Sequence, residues 1–105
     1  MPYFFCRLLP PRPTFAHDMS PAEGQLMQLH GAYWRALAEK GVAVLFGPVG
    51  DPAGAWGLGI LEVDDEDDVR TLTADDPVIK SRLGFKYETF PILRTTVRNS
   101  LERHT

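Results

Sequence analysis

Residues 42–63 have the sequence VAVLFGPVGDPAGAWGLGILEV, and this stretch decides the fold. Two short apolar runs, at 42–46 and 56–63, enclose a segment that is rich in glycine and proline. Apolar runs of this length predict strands, and the turn residues between them predict a hairpin with a long loop. The chain is therefore expected to contain an antiparallel sheet.

A helix is predicted on each side of this hairpin. Before it, SPAE at residues 20–23 has the spacing of a capping box with proline at the first helical position, and apolar residues continue at helical spacing until Gly41. After it, five acidic residues at 64–68 suit the first turn of a second helix, because carboxylates complement the positive end of the helix dipole. A metal site or an acidic interaction patch is the alternative for this run. The second helix is expected to end near Pro77, followed by a short extra turn over residues 78–83.

Two further strands complete the predicted sheet. Residues 3–9 are mostly apolar on both alternating faces, which is typical of a strand that is covered on both sides. Residues 86–94 form the last strand, and Pro91 places it at an edge, because proline cannot donate a ladder hydrogen bond. The order β-α-β-β-α-β predicts an α+β fold, the ferredoxin-like plait, in which a four-stranded antiparallel sheet carries both helices on one face.

The second face of this sheet needs another partner. Apolar side chains alternate on both faces of the strands at 3–9 and 42–46, and two helices cover only one face. A second copy of the chain that packs its sheet against this one would cover the exposed apolar face most simply, so a homodimer is predicted. Residues 1–94 are assigned to a single domain, with a proline-rich irregular connection at 10–19 and a polar C-terminal tail at 95–105.

The composition disfavours several classes of protein. The chain has 105 residues with 11 basic and 14 acidic side chains, and the net charge of −3 argues against nucleic acid as a partner. Cys6 is the single cysteine and has no intramolecular disulfide partner, while the scattered His17, His30 and His104 give no zinc-binding spacing. No apolar stretch is long enough to span a bilayer, and the N-terminus lacks signal-peptide features, so we expect a cytoplasmic protein with no membrane partner. No metal and no cofactor is predicted.

Three segments resemble those of a known family. They are LHGAYWRALAEKG at residues 29–41, GPVGDPAGAWGLGILEV at 47–63 and ADDPVIKSRLGFKYETFPI at 74–92. In order and spacing they are similar to the YCII-related domain family of the dimeric α/β-barrel superfamily, and the resemblance covers residues 3–94. It implies a homodimer whose two sheets build a barrel, with a pocket between the helices and the sheet.

The resemblance also implies site residues. The family carries a His–Asp pair that is proposed as a general acid/base, and these positions match His30 on the first helix and Asp76 in the Asp-Pro step after the second helix. One branch is similar to dehydrochlorinases that act on hydroxylated aromatic compounds, which implies proton transfer with elimination or isomerisation on a small aromatic substrate. This chain departs from the family in a longer proline-rich loop, which holds His17 and Asp18, and in Asp51 of the hairpin loop.

Each catalytic candidate also has a structural interpretation. His30 lies on the helical stripe that is expected to meet the sheet, where an imidazole can exchange protons near neutral pH and a carboxylate would fix its tautomer. The same position is compatible with a core histidine that is held by one hydrogen bond. Asp76 directly precedes Pro77, and this is the sequence of a helix N-cap.

Three more residues are candidates for ligand binding: Asp51, Tyr33 and Arg7. Asp51 lies in a loop dense in glycine and proline, where its side chain would equally serve to bond nearby backbone amides. Tyr33, on the first helix, is also compatible with the core or a pocket wall. Arg7 is a lone charge on an apolar strand and needs an anionic ligand or a carboxylate such as Glu62 or Glu88.

The sequence leaves three functions open. The leading hypothesis is a small enzyme in which His30, oriented by Asp76, acts as a general base or acid on a small aromatic molecule. The second is a non-catalytic dimeric protein that binds a small ligand or serves as an accessory. The third is an interaction module without a pocket. No nucleophile motif is found, because Ser81 and Ser100 lack the context of a nucleophile elbow and Cys6 is expected to be buried.

Overall fold

The computed structural model describes residues 2–98, and its elements follow the predicted order with one short helix in addition. The strands are β1 (Tyr3–Leu9), β2 (Ala43–Val49), β3 (Trp56–Glu62) and β4 (Lys86–Ile92), and the helices are α1 (Phe15–Asp18), α2 (Pro21–Glu39), α3 (Glu66–Ala74) and α4 (Pro77–Lys80). None of the described helices is long and apolar enough to cross a membrane. Residues 99–105 of the predicted tail, with Ser100 and His104, lie outside the described part of the chain.

The sheet has the order β2-β3-β1-β4, and every neighbouring pair is antiparallel. Each helical connection, from β1 to β2 and from β3 to β4, passes over one strand, which is the arrangement of the ferredoxin-like plait. The predicted α+β fold is confirmed, and β4 is an edge strand, as Pro91 predicts. β2 continues past its predicted end at residue 46, because Pro48 and Val49 still pair with β3. Proline is tolerated there because β2 forms the other edge of the sheet.

The helix α1 was not expected, since residues 10–19 are dense in proline. It forms because Phe15 is buried against Phe85, with an edge-to-face contact at 5.3 Å between ring centroids. Arg12 fastens the same segment to the first turn of α2, through hydrogen bonds of 2.8 and 2.9 Å to the two carboxylate oxygens of Glu23. A buried ring and a bidentate ion pair therefore order a connection whose local sequence favours irregular structure.

The remaining helix boundaries follow the predicted capping signals. Ser20 accepts a hydrogen bond from the backbone N–H of Glu23, whose carboxylate accepts the N–H of Ser20 in return. Just beyond α2, Gly41 has a φ of 77°, a left-handed conformation that glycine adopts without strain. The acidic run begins α3, with Asp65 capping the helix through the N–H of Asp68. The structural interpretation of this run is therefore confirmed.

The two faces of the sheet are buried to different extents. On β1, the side chains of Phe4, Cys6 and Leu8 face the helices and are almost completely buried. The alternate residue Phe5 lies on the opposite face, where its ring stacks on that of Phe90 at 6.0 Å between centroids. Phe90 is 50% exposed. The face away from the helices therefore carries apolar side chains that the chain itself covers only in part.

Candidate active site

Four side chains from α2, β4 and the start of α4 meet in one hydrogen-bonded group, here called the Asp76 cluster. His30 and Trp34 lie one turn apart on α2, Asp76 directly precedes α4, and Tyr87 lies on β4. His30 Nδ1 is 2.8 Å from Asp76 Oδ2, and Tyr87 Oη donates to the same oxygen at 2.6 Å. The Trp34 indole N–H is shared between Asp76 Oδ2 at 3.0 Å and Tyr87 Oη at 2.9 Å. The fold therefore brings the predicted pair, His30 and Asp76, into direct contact.

Asp76 is both a helix cap and a buried charge. Its side chain is fully buried, and Oδ1 accepts the backbone N–H of Val78, as the Asp-Pro sequence predicts. Burial alone would raise the pKa of this carboxyl, but the hydrogen bonds from His30 and Tyr87 outweigh burial and hold the pKa of Asp76 below its usual value. Asp76 is therefore a carboxylate at neutral pH although solvent does not reach it.

The contact with Asp76 sets the tautomer of His30. A carboxylate can only accept hydrogen bonds, so Nδ1 of His30 carries the proton in this contact. The other ring nitrogen, Nε2, makes no hydrogen bond to the described residues, and the side chain is 14% exposed. With Nδ1 protonated in this contact, a neutral His30 presents Nε2 as a free hydrogen-bond acceptor.

Two other titratable groups near the cluster stay protonated. Burial, followed by the negative charge of Asp76, raises the pKa of Tyr87 well above its usual value, so the phenol remains a hydrogen-bond donor. Burial likewise raises the pKa of the Cys6 thiol to about 12. Cys6 is therefore a buried core thiol, as predicted, and is not activated as a nucleophile.

A cavity of about 290 Å³ lies beside His30, between α2 and the sheet. Its lining is mostly apolar, with aromatic rings such as that of Phe46 and the thioethers of Met19 and Met27. Among residues 2–98, no Lys, Arg, Asp or Glu lines this cavity, and His30 contributes the imidazole in the lining. The arrangement can therefore exchange a proton with a small molecule bound beside α2.

With this geometry in place, comparison with protein-family models gives a match to the YCII-related domain over residues 3–93. The chain belongs to the YCII-related domain family. The match spans nearly the whole chain and includes His30, Asp76 and all four strands. A comparison with curated proteins gave no match. The resemblance that the three sequence segments indicate is confirmed.

Two glycines of β3 make room for the cavity of this YCII-related domain. Gly59 pairs with Cys6 and Gly57 pairs with Leu8, on the sheet face that meets α2, and both glycines line the cavity. A Cβ atom on Gly59 would lie 2.4 Å from Cη2 of Trp34, so a side chain there would displace the indole. A Cβ atom on Gly57 would meet only Leu8, at 3.3 Å from its Cβ.

We expect Gly59→Ala to lower the free energy of unfolding by about 1–3 kcal/mol, because the added methyl overpacks the site of Trp34 and pulls its N–H from Asp76. The matched control is Gly57→Ala, whose methyl has nearly enough room and which we expect to change stability by less than about 1 kcal/mol. Urea unfolding of both variants measures the difference. Equal effects of the two substitutions on stability would contradict the conclusion that the Trp34 indole needs the space left by Gly59.

Arg7 and Asp51 of this YCII-related domain lie outside the Asp76 cluster and border a second cleft. The Arg7 guanidinium lies 4.5 Å from the centroid of the Trp56 ring, and its Nε is 4.0 Å from a carboxylate oxygen of Glu88. Asp51 accepts the N–H of Ala53 and the indole N–H of Trp56, and these bonds hold the pKa of Asp51 below its usual range. Asp51 thus has the backbone partner that its structural interpretation predicts, whereas Arg7 Nε lies at ion-pair distance from Glu88 and makes no hydrogen bond to the described residues. For both residues a role in ligand binding stays a prediction.

Tyr33 and the His17-Asp18 pair are also separate from the cavity wall. The Tyr33 hydroxyl donates to the backbone carbonyl of Leu72 at 2.6 Å, and burial raises the pKa of Tyr33 to about 12. Asp18 accepts a hydrogen bond from Arg12 at 2.8 Å, while His17 is exposed on α1. Tyr33 is not among the residues that line the cavity, so its binding role stays a prediction.

Two members of the cluster, Trp34 and Tyr87, were not assigned to the site from the sequence. Trp34 follows His30 by four positions, which places both on one face of a helix, and this spacing was the available signal. No sequence pattern places Tyr87 beside Asp76, since β4 reaches this position only through the strand order of the sheet.

No metal-binding arrangement is found in residues 2–98. No group of three or more His, Cys, Asp or Glu side chains there could hold an ion. Besides the contact with His30, Asp76 accepts hydrogen bonds from the Val78 backbone N–H, the Trp34 indole N–H and the Tyr87 hydroxyl.

Proposed function

We propose that this YCII-related domain is a small enzyme that transfers a proton on a small, aromatic substrate. The observation that carries the proposal is the 2.8 Å contact between His30 Nδ1 and Asp76 Oδ2 at the wall of an apolar cavity. General acid–base catalysis requires a group that can take up or release a proton beside the space where a substrate binds, and a histidine whose tautomer is set by a carboxylate fits that requirement. Rings of Phe15, Phe46 and Phe85 around the cavity support an aromatic substrate.

In the proposed step, neutral His30 accepts a proton from the substrate at Nε2, and the electron pair of the broken bond stays on the substrate. The resulting imidazolium is stabilised by the carboxylate of Asp76. In an isomerisation, the same proton returns to a different atom of the substrate. In an elimination, the electron pair forms a double bond while a leaving group departs with its own bonding pair, and the proton is released to water. Neither course requires a redox partner.

The competing function is non-catalytic binding of a small ligand. It is favoured by the structural role of Asp76, which caps α4 by accepting the Val78 N–H and also accepts hydrogen bonds from Trp34 and Tyr87. The His30–Asp76 pair would therefore stabilise the fold even if the protein catalysed no reaction. The two functions differ in one observable, namely whether a bound molecule exchanges hydrogen with solvent.

A ligand screen followed by deuterium exchange tests the proposal. Small enolisable ketones such as indanone, together with small phenols, are first screened by thermal shift on the wild type and on His30→Ala. Molecules that stabilise the wild type are then incubated with the protein in D₂O, and incorporation of deuterium is followed by NMR against a buffer control. We expect incorporation at the acidic C–H position of the ketone to be faster with the wild-type protein. Binding beside His30 without faster exchange contradicts the enzyme and favours the binding protein.

We also propose that the chain forms a homodimer through the sheet face away from the helices. Phe5, Leu45, Ile60 and Phe90 share this face by strand register, and Leu45 and Phe90 are about half exposed. An antiparallel sheet with an apolar second face gains stability when another layer covers it. A location in the cytoplasm is proposed from the sequence alone.

Substitution on this face should dissociate the dimer. We expect light scattering to give the mass of two chains for the wild type and of one chain for Leu45→Glu, because Leu45 lies on β2, away from Arg7 on β1, and a carboxylate in the apolar interface there is left unpaired. Leu93→Glu is the matched control, since Leu93 follows β4 and is already 88% exposed. A wild-type protein with the mass of one chain contradicts the proposed dimer.

A further inference from the structure

The charge of the cavity wall restricts what can bind there. Among the described residues, His30 is the one lining side chain that can carry a positive charge, and its charge would be matched by the carboxylate of Asp76 at 2.8 Å. The guanidinium of Arg12 is already bound to Asp18 and Glu23, and it belongs to the second cleft. A carboxylate or phosphate entering the cavity would therefore be desolvated without a counter-charge, which is strongly unfavourable.

The polar atoms of the wall restrict the ligand further. The Trp34 indole N–H and the Tyr87 hydroxyl hydrogen are both directed to Asp76, so neither is available to a bound molecule. Nε2 of a neutral His30 is an acceptor, and a ligand satisfies it with an acidic hydrogen, either an O–H or N–H donor or the weaker C–H donor next to a ketone. Around it lie aromatic rings and the thioethers of Met19 and Met27, which offer dispersion contacts and no further hydrogen bonds.

We propose that the cavity selects an uncharged, largely apolar small molecule with one weakly acidic hydrogen-bond donor, and that it rejects carboxylates and phosphates of the same shape. The volume of about 290 Å³ is at the small end of the range for ligand pockets, so the occupant is a small ring compound rather than a nucleotide or a coenzyme. This inference deepens the proposed function and rests on it in one respect, since it takes His30 Nε2 as the atom that meets the ligand.

Three probes of one shape test the selection. All three probes contain a methyl-substituted benzene ring. Para-cresol adds an uncharged hydroxyl donor, para-toluate adds a negatively charged carboxylate, and toluene has neither group. Each is titrated at pH 7 into ¹⁵N-labelled protein, and binding is followed at the Trp34 indole N–H and at the amides of Gly57 and Gly59, with Arg70 on α3 as a remote control. We expect para-cresol to bind at least about tenfold more tightly than either of the other probes.

A charge added at the cavity mouth provides an independent check. Met19 lines the cavity and is 38% exposed, so a longer polar side chain is accommodated there. We expect Met19→Lys to admit para-toluate, and the matched variant Met19→Gln to reject it. Thermal melts of both variants confirm that they are folded before the titrations are compared.

The outcomes separate this inference from the proposed function. Para-toluate that binds the wild type as tightly as para-cresol overturns the selection against charge, and equal binding of toluene overturns the need for a donor. Shifts with none of the three probes also overturn the inference. If para-cresol is preferred while enolisable ketones exchange no deuterium, the proposed reaction fails and the selection by the cavity stands.

Discussion

Replacing Asp76 by alanine is expected to lower the free energy of unfolding by about 3–5 kcal/mol, the largest stability effect of any single substitution proposed for this chain. The change removes the N-cap of α4 and leaves the phenol of Tyr87 and the Nδ1 donor of His30 without their acceptor. The indole N–H of Trp34 keeps only its hydrogen bond to the Tyr87 hydroxyl. A lost cap contributes about 1 kcal/mol, and each buried donor without a partner adds a further penalty of about 1–3 kcal/mol. Partial relaxation of the side chains keeps the total below the sum.

Asp76→Asn is the matched control, because asparagine keeps the shape and can still accept hydrogen bonds through its remaining oxygen. We expect it to be clearly less destabilising than Asp76→Ala when both are unfolded in urea at pH 7. An alanine variant as stable as the wild type would show that the Asp76 cluster does not hold α2, α4 and β4 together.

The pH dependence of stability has a definite sign at this site. The pKa of Asp76 is lower in the folded chain than its usual value near 3.9, so the carboxylate stabilises the fold above about pH 4. This contribution is lost as the pH falls below 4 toward the folded-state pKa, because the carboxyl must then be protonated and gives up its donors. Wild type and Asp76→Asn should therefore converge in stability on acidification. Parallel curves below pH 4 would contradict a lowered pKa for Asp76.

Replacing His30 by asparagine is expected to reduce the rate of deuterium incorporation into a bound ketone by about 10²–10⁴-fold, the range that a positioned general base contributes. Asparagine places an amide donor near the position of Nδ1, so the hydrogen bond to Asp76 is kept while the base at Nε2 is removed. The fold and the binding of the ketone are therefore expected to change little.

Leu29→Asn is the control for this variant, since Leu29 neighbours His30 on α2 but is 58% exposed. It introduces the same residue type into the same helix and should leave the exchange rate unchanged. The exchange rates and the affinities for the ketone are measured on wild type and both variants. A His30→Asn protein that exchanges deuterium at the wild-type rate would remove His30 from the reaction.

The alternation of apolar residues and the capping signals were enough to predict the strand and helix order. The hairpin at 42–63, the SPAE start of α2 and the proline in β4 each act over a few neighbouring residues, so their effects are visible in the sequence. The prediction missed α1, because Phe15 is ordered by Phe85, a residue far away in the chain. Local propensity does not report a contact of that kind.

The candidate site was predicted only in part. His30 and Asp76 were identified through the resemblance to the YCII-related domain family, and from the residues alone Asp76 was equally a helix cap. Both descriptions hold, because Oδ1 caps α4 and Oδ2 binds His30. Arg7, Asp51 and Tyr33 are predicted separately as ligand-binding residues, and the fold places them apart from the His30–Asp76 pair, since Arg7 lies on the opposite sheet face and Asp51 bonds within its own loop.

The sequence by itself determined every element except α1, together with the helix caps, the edge position of β4 and the excess of apolar surface, since each depends on interactions between residues close in the chain. Only the tertiary structure decided that Tyr87 and Trp34 donate hydrogen bonds to the Asp76 carboxylate that also contacts His30. It also decided that two glycines of β3 line a cavity beside His30. These contacts join α2, β3, β4 and the start of α4, and they form because packing the helices on the sheet brings distant segments together. The chemistry that a cavity can support depends on those distances, which no local pattern encodes.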